Sequence, residues 1–303
     1  IRKMKLVAIA LAASALALTA AAETTEDASA TSEATPQYTV AEAKADPAHW
    51  RAVDPENLFI FDTTKGRVVI EAFPEIAPKH YKQFSTIIRS GMYSGTKFHR
   101  VIEGFMAQGG DIRAINGEGS GLPNIEAEFT FQRKPEEMPL EYAIGYPEDA
   151  EGGFIKGFPI ATRPLWIAQD FGNETVESWI PHCQGVVSTA RLGDNVNSGN
   201  SQFFLMRGYA DHLDKDYTAW GRVISGQDVV MSLKKGPDAR DGLVTDPDIL
   251  NSASVAADMP AAERPKAWVM RTDTEEFVET LDLKEGDLPH VCDLPAVPAV
   301  VEN

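Results

Sequence analysis

From Leu58 onward, short apolar runs alternate with clusters of glycine, asparagine and aspartate, and the spacing of the apolar positions separates strands from helices. In "NLFIFDTTKGRVVIEAF" two β-branched and aromatic runs flank Thr64-Lys65-Gly66, which predicts a β-hairpin. In "APKHYKQFSTIIRSG" the period changes. Ala77, Tyr81, Phe84 and Ile88 recur at helical intervals, Pro78 suits a first helical turn, and Gly91 stands where a C-terminal cap belongs. Strand-like runs return at "TKFHRVI", "GFMAQG", "GVVSTA", "SQFFLM" and "TAWGRVI". A shorter helix is predicted in "GQDVVMSLKKG", burying Val229, Val230 and Leu233 and stopped by Gly236-Pro237; a last strand, "KAWVMRT", precedes a proline-rich tail. Many short strands with two helices predict a mainly β protein, a closed antiparallel barrel rather than alternating β-α-β units. No internal repeat is visible.

Two stretches depart from this pattern. From about residue 130 to 182 the chain holds many Pro, Gly and acidic residues with scattered aromatics, as in "GYPEDAEGGFIKGFP" and "TRPLWIAQDFGNETVESWIP". The expectation is a long ordered excursion, either a decorated surface loop, which is favoured, or a small lid. At the other end, Arg2, Lys3 and Lys5 precede an apolar run from Leu6 to Ala22 that closes on Ala20-Ala21-Ala22. That is the form of a secretory signal cleaved after Ala22, which predicts a periplasmic or secreted product with no integral membrane segment after processing. The stretch "ETTEDASATSEATPQ" is too polar to offset the entropy of ordering. The expected organisation is a signal peptide over 1–22, an acidic flexible linker over 23–50, one domain over 51–275 with an insertion at about 130–182, and a tail over 276–303.

Length and composition are consistent with a folded domain: 303 residues, 43% of them hydrophobic, suffice for a sizeable core. The formal net charge of −17 becomes −20 once Arg2, Lys3 and Lys5 are removed with the signal. Such a field repels nucleic acid and anionic lipid. Cys183 and Cys292 are the two cysteines, and export predicts that they pair. The motifs of serine hydrolases, zinc peptidases, dithiol redox enzymes and nucleotide-binding loops are absent, the glycine-rich "NGEGSG" reads as a turn, and His182-Cys183 is an isolated pair without metal-ligand spacing.

One fourteen-residue stretch is denser in chemistry than the rest. "FHRVIEGFMAQGGD" closely resembles the cyclophilin signature, and "SQFFL" and "LDKDYTAWGRVISGQDVV" follow in the order that family shows. The resemblance implies an eight-stranded antiparallel barrel capped by two α-helices, and peptidyl-prolyl cis/trans isomerase activity with no cofactor and no metal. Its substrates would be proline-containing segments of unfolded or newly exported polypeptides. Rotation about an X-Pro bond faces a barrier of roughly 18 to 20 kcal/mol because it breaks amide resonance, and no covalent step is needed to lower it. A catalyst has to hold the proline and offer its nitrogen a hydrogen bond in the twisted state. Arg100 is the natural donor and Gln108 can orient it, while the resemblance implies Phe105, Met106, Phe204 and Leu213 as pocket walls and Ala190 as the small residue beside the substrate backbone. His212 and Tyr217 stand where eukaryotic members usually carry tryptophan and histidine. His99, adjacent to Arg100 on a strand, faces the other way and is expected to be structural. The alternative function is a peptide-binding chaperone or envelope docking module with the same fold.

Overall fold

The computed structural model describes residues 37–146, 150–284, 286, 287 and 289–303. The expected signal peptide and the linker up to residue 36 lie outside the described residues. The predicted hairpin forms: Leu58–Thr63 (β1) and Gly66–Ala72 (β2) pair antiparallel from Leu58↔Glu71 to Thr63↔Gly66. Gly66 turns the chain at φ 137°, a conformation that side chains disfavour. Thr96–Lys97 (β3), Arg100–Ile102 (β4), Met106–Gly109 (β5), Val186–Thr189 (β6), Phe203–Met206 (β7), Ala219–Ser225 (β8) and Ile249–Val255 (β9) complete a nine-stranded sheet in the order β3-β9-β1-β2-β8-β6-β7-β5-β4.

Laid flat, nine strands would hold the edges roughly 40 Å apart. The edges β3 and β4 are instead joined by Phe98-His99 alone, so the sheet curls round on itself. No β3–β4 ladder is present among the described residues. Phe98 N donates to Asp248 O at 2.9 Å and Val244 N to His99 O at 3.0 Å across the seam. The expected closed eight-stranded ladder is therefore a curled nine-stranded wall. Inside it the rings of Phe61, Tyr93 and Phe98 surround Phe203 at 5.3 to 6.2 Å.

The helix Pro78–Ser90 covers one opening, stacking Phe84 on Trp220 at 4.5 Å and ending at Gly91 with φ 73°. Its first turn lacks a side-chain cap of its own. Glu128 supplies one from a distant segment, accepting from Lys79 N at 3.1 Å and His80 N at 3.0 Å. Burial alone would raise the Glu128 carboxyl, but the hydrogen bonds from His80 and Lys79 outweigh it and hold the group below its ordinary range. The second helix, Gln227–Ser232, is shorter than expected and buries Val230, with Leu233 following it into the core.

The excursion is neither loop nor lid. It is a five-stranded antiparallel sheet in the spatial order Phe131–Arg133, Val176–Trp179, Phe158–Thr162, Ala150–Ile155 and Glu141–Tyr146. A third sheet joins the two ends of the described chain: Trp50–Ala52 pairs with Lys266–Met270, which pairs with Ala299–Glu302. The run "KAWVMRT" is thus a strand, but not one of the barrel.

The linker and tail boundaries move accordingly. Val40–Ala45 is a helix closed by a Thr39–Glu42 capping box, and Trp50 is buried, so the fold begins before residue 50. Residues after 275 contribute the buried Phe277, which takes edge contacts from Phe154 and Tyr142, and Cys292, which is disulfide-bonded to Cys183 across a Cα–Cα distance of 4.9 Å. At the junction with the barrel, Glu71 binds Arg51 at 2.6 Å and Arg222 at 3.3 Å. Burial pushes the Arg222 guanidinium down to about 10, with Glu71 opposing the shift.

Candidate functional site

Strand alternation sorts pocket from core. Val101, Ala107, Leu205 and Val187 lie opposite one another across β4, β5, β7 and β6, and all four are fully buried. The adjacent row is Arg100, Gln108, Phe204 and Ser188. Because successive side chains leave a strand on opposite faces, this second row points away from the barrel interior. Met106, two positions from Gln108, joins it.

These side chains converge on a cavity of about 120 Å³ lined by Arg100, Phe105, Met106, Gln108, Ala190, Arg191, Phe204, Leu213 and Tyr217. Eight of the nine residues expected from the sequence are thus brought together. His212 is the exception: it does not line the cavity, its side chain is 66% exposed, and its ring lies 5.5 Å from that of the pocket residue Phe105, centroid to centroid. Phe204 and Tyr217 meet edge to face at 5.8 Å, which gives the cavity a rigid aromatic corner.

Gln108 does not orient Arg100, although the two are register partners. Its Nε2 donates to Gln202 Oε1 at 2.9 Å. The guanidinium is held instead by Asp241, with Nη2 to Oδ1 at 2.9 Å, Nε to Oδ2 at 3.2 Å and Nε to the Asp241 carbonyl at 3.0 Å. Arg100 in turn holds the Asp241 carboxyl below its ordinary range. Nη1 has no partner among the described residues, which leaves donors of the fork for a ligand. Asp241 lies 141 residues from Arg100, at φ 52° after a short 3₁₀ turn, and nothing local in the sequence announced it.

Arg191 is a second residue the sequence reading missed. Its side chain is only 6% exposed, its guanidinium lies 4.4 Å from the Tyr217 ring centre, and it bonds Asp216 O at 3.0 Å and Asp216 Oδ1 at 2.8 Å. It fixes Tyr217 against the pocket. Behind Phe204, the fully buried His182 stacks on the ring at 6.0 Å and joins Asp214 Oδ1 (3.0 Å) to Ser188 Oγ (3.0 Å). Ser188 Oγ donates to Thr218 O at 2.8 Å and is itself buried, so this Asp-His-Ser chain supports the pocket wall instead of presenting a nucleophile. His99, as expected, lies outside the cavity lining.

The geometry is that of a shallow apolar pocket with a fixed cation at its rim, and residues 58–255, which contain it, match the family model of cyclophilin type peptidyl-prolyl cis-trans isomerases. The chain belongs to this family. A probable peptidyl-prolyl cis-trans isomerase of Brucella abortus is 33% identical over 218 residues, covering 68% of this chain and 86% of that protein. The mouse peptidyl-prolyl cis-trans isomerase-like 3 is 31% identical over 58% of this chain and 80% of its own. The crystal structure of the cyclophilin AquaCyp293 from Hirschia baltica superposes with a TM-score of 0.80 at 46% identity, covering 88% of this chain and 98% of that one. The last likeness extends past residues 58–255, so it takes in parts of the added sheets as well as the barrel. The chain is accordingly a peptidyl-prolyl cis/trans isomerase acting on proline-containing polypeptides.

Among the described residues, one group has the composition of a metal site: Asp46, His49 and Glu276. It belongs to the terminal segments, where His49 Nδ1 bridges the two carboxylates at 2.7 and 3.1 Å, and none of its members lines the pocket. No helix among the described residues is long and apolar enough to cross a membrane.

Proposed function

We propose that this isomerase acts on exported polypeptides, in the periplasm or outside the cell, with the proline ring seated between Phe105, Met106, Phe204 and Leu213. Arg100 donates to the proline nitrogen. In the planar amide that nitrogen has its lone pair in resonance and accepts poorly; as the bond twists, the pair localises and the hydrogen bond strengthens. The donor therefore acts mainly on the twisted state. Asp241 keeps the fork in place beforehand, which spares the reorganisation that a loose side chain would need at the moment of rotation. The apolar run from Leu6 to Ala22 and the Cys183–Cys292 disulfide support the exported setting, since disulfides persist in oxidising compartments.

The convergence of Arg100 with four apolar walls in one cavity carries the assignment of roles. A protease-coupled assay on a proline tetrapeptide is expected to show acceleration well above the uncatalysed rate. An absence of acceleration, with peptide binding retained, would make the fold a binding module instead. For the setting, fusion of residues 1–36 to a reporter that is active only after export is expected to yield signal, and an inactive reporter would remove that part of the proposal.

A further inference from the structure

A second cavity, of about 220 Å³, lies where the insertion, the barrel and the tail meet. Phe154 and Pro159 come from the insertion, Val186 from β6, and Val291 and Val297 from the tail, with the Cys183–Cys292 disulfide in the same wall. The cavity shares no lining residue with the proline pocket. Its lining includes the exposed Gln184, Pro295 and Ala296, so it opens to solvent on that side.

Two polar groups in this largely apolar wall are left incomplete. Arg222 lines the cavity with its side chain only 7% exposed. Its one hydrogen bond among the described residues runs from Nη2 to Glu71 Oε2 at 3.3 Å, and its Nε is buried without an acceptor. Glu71 is already held by Arg51, whose Nη1 meets Oε1 at 2.6 Å and whose Nη2 donates to Oε2 at 2.9 Å. Two guanidiniums thus share one carboxylate, and the shorter bonds belong to Arg51. Gln227 lines the same space. Its Nε2 donates to Met206 O at 3.1 Å, which leaves Oε1 buried with no donor. Folded interiors leave few polar groups unpaired, and a cation and an acceptor left so in the wall of one cavity define what would complete them.

We propose that this cavity binds an apolar residue with a free carboxylate and an acylated amine, the chemistry found at the end of a polypeptide and in a free acylamino acid. The carboxylate supplies the negative charge that Arg222 lacks and accepts from the guanidinium, whose planar array of N–H groups suits it. The amide N–H of the ligand donates to Gln227 Oε1. A side chain of valine or leucine size rests on Val186, Val291 and Val297. Inorganic phosphate would leave the apolar wall uncovered, and a simple fatty acid would leave Gln227 without a donor. Volume limits the occupant to a single residue, because pockets for drug-sized ligands run from about 300 to 1,000 Å³; any longer chain continues outward past Ala296.

The test is isothermal titration calorimetry on the full chain with N-acetyl-leucine, its carboxamide, and a pentapeptide ending in leucine. N-acetyl-leucine is expected to bind, and the carboxamide to bind about tenfold more weakly or less. Arg222→Gln should weaken the acid by about tenfold and Gln227→Met by about threefold, while Ala296→Trp should block the opening without touching either polar group. Saturating N-acetyl-leucine should leave turnover of a proline tetrapeptide within about twofold of its value without ligand, since the two cavities share no residue. Absence of binding, or equal binding of acid and carboxamide, overturns the inference. Parental affinity in Ala296→Trp does the same, and it decides the matter if Arg222→Gln does not fold. So does competitive inhibition of the isomerase by N-acetyl-leucine, because the ligand would then be seated in the proline pocket. A pentapeptide that binds as tightly as N-acetyl-leucine assigns the site to polypeptide ends, and one that is excluded assigns it to the free acid.

Discussion

The barrel wall and the five-stranded sheet inserted into it differ in how far the chain travels to complete them, and the wall needs the longer journeys. In the wall, only β1–β2 and β4–β5 pair through short connections; Val255 pairs with Phe59, Arg222 with Glu71 and Phe204 with Gln108. The terminal sheet is also closed from afar, Trp50 pairing with Met270 and Lys266 with Glu302, whereas the sheet of 131–179 is mostly successive hairpins, Tyr146 opposite Ala150, Ile155 opposite Phe158 and Thr162 opposite Ser178. Pocket residues come from the first region, and what surrounds the rim comes partly from the second. The catalytic cradle is thus drawn together by long-range pairing of the wall, while the inserted sheet is assembled largely from successive hairpins.

The largest expected effect falls on the terminal sheet. Cys183 and Cys292 close a loop with a sequence separation of 109, for which the chain-entropy model gives about 4 to 5 kcal/mol of stabilisation, an upper value. A Cys183→Ser/Cys292→Ser variant should lower the urea midpoint and release amide protection first in the Ala299–Glu302 strand and its partner, with the barrel amides opening later. Simultaneous loss of protection in both regions would show that they are one cooperative unit.

Next comes the first region's own chemistry. Arg100→Ala should reduce kcat and kcat/KM together by about 10² to 10³, roughly 3 to 4 kcal/mol, while peptide binding changes little. Arg100→Lys should recover only part, since an ammonium cannot hold the Asp241 contacts and a ligand with one planar fork. Two-dimensional exchange NMR on a short proline peptide reads both. A folded Arg100→Ala variant with parental turnover would falsify the donor assignment.

Asp241→Ala should be milder, about three- to tenfold in kcat with KM nearly unchanged, because the backbone carbonyl bond to Arg100 Nε survives and the carboxylate is exposed. If KM rises and kcat holds, Asp241 contributes to binding and not to positioning.

The smallest effect concerns the clasp of the terminal segments. The hydrogen bond to Asp46 raises His49 above its ordinary value of 6.5, with Glu276 adding to the shift and Arg271 opposing it. A raised folded value means that this contribution is complete below 6.5 and fades as pH rises through the folded value. Asp46 is lowered from 3.8 by the same bond, so its share is present above 3.8 and is lost as pH falls through the lowered value. Ring-proton NMR should show His49 titrating above 6.5 and moving back toward it in Asp46→Asn, with Glu276→Gln giving a smaller return.

The contrast between the regions also decides what was legible. The short apolar runs "TKFHRVI", "GFMAQG" and "SQFFLM" were enough to find β4, β5 and β7, while side-chain chemistry pointed to Arg100 and Gln108 and the resemblance of the motifs to the cyclophilin family implied Phe204. The helix Pro78–Ser90 was equally readable from its apolar spacing and its end at Gly91. The sheet of 131–179 was not, since Gly, Pro and acidic residues in and between its strands blur the alternation, even though most of its pairings join neighbouring strands. The terminal elements escaped for a related reason: each supplies one or two anchors, such as Trp50 and Phe277, in an otherwise polar stretch.

By itself the sequence determined the short strands and the two helices through apolar spacing, and the fold family and the apolar walls of the proline pocket through the resemblance of three ordered motifs to the cyclophilin family, with Arg100 marked out by its own chemistry. Tertiary structure alone decided that Asp241 and not Gln108 holds Arg100, that Arg191 braces Tyr217, and that His182 stands behind Phe204. Hydrogen bonds and ring contacts depend on separations of a few ångströms. Between Arg100 and Asp241, 141 positions apart, that separation is set by how the whole sheet curls and not by any feature of the chain near either residue.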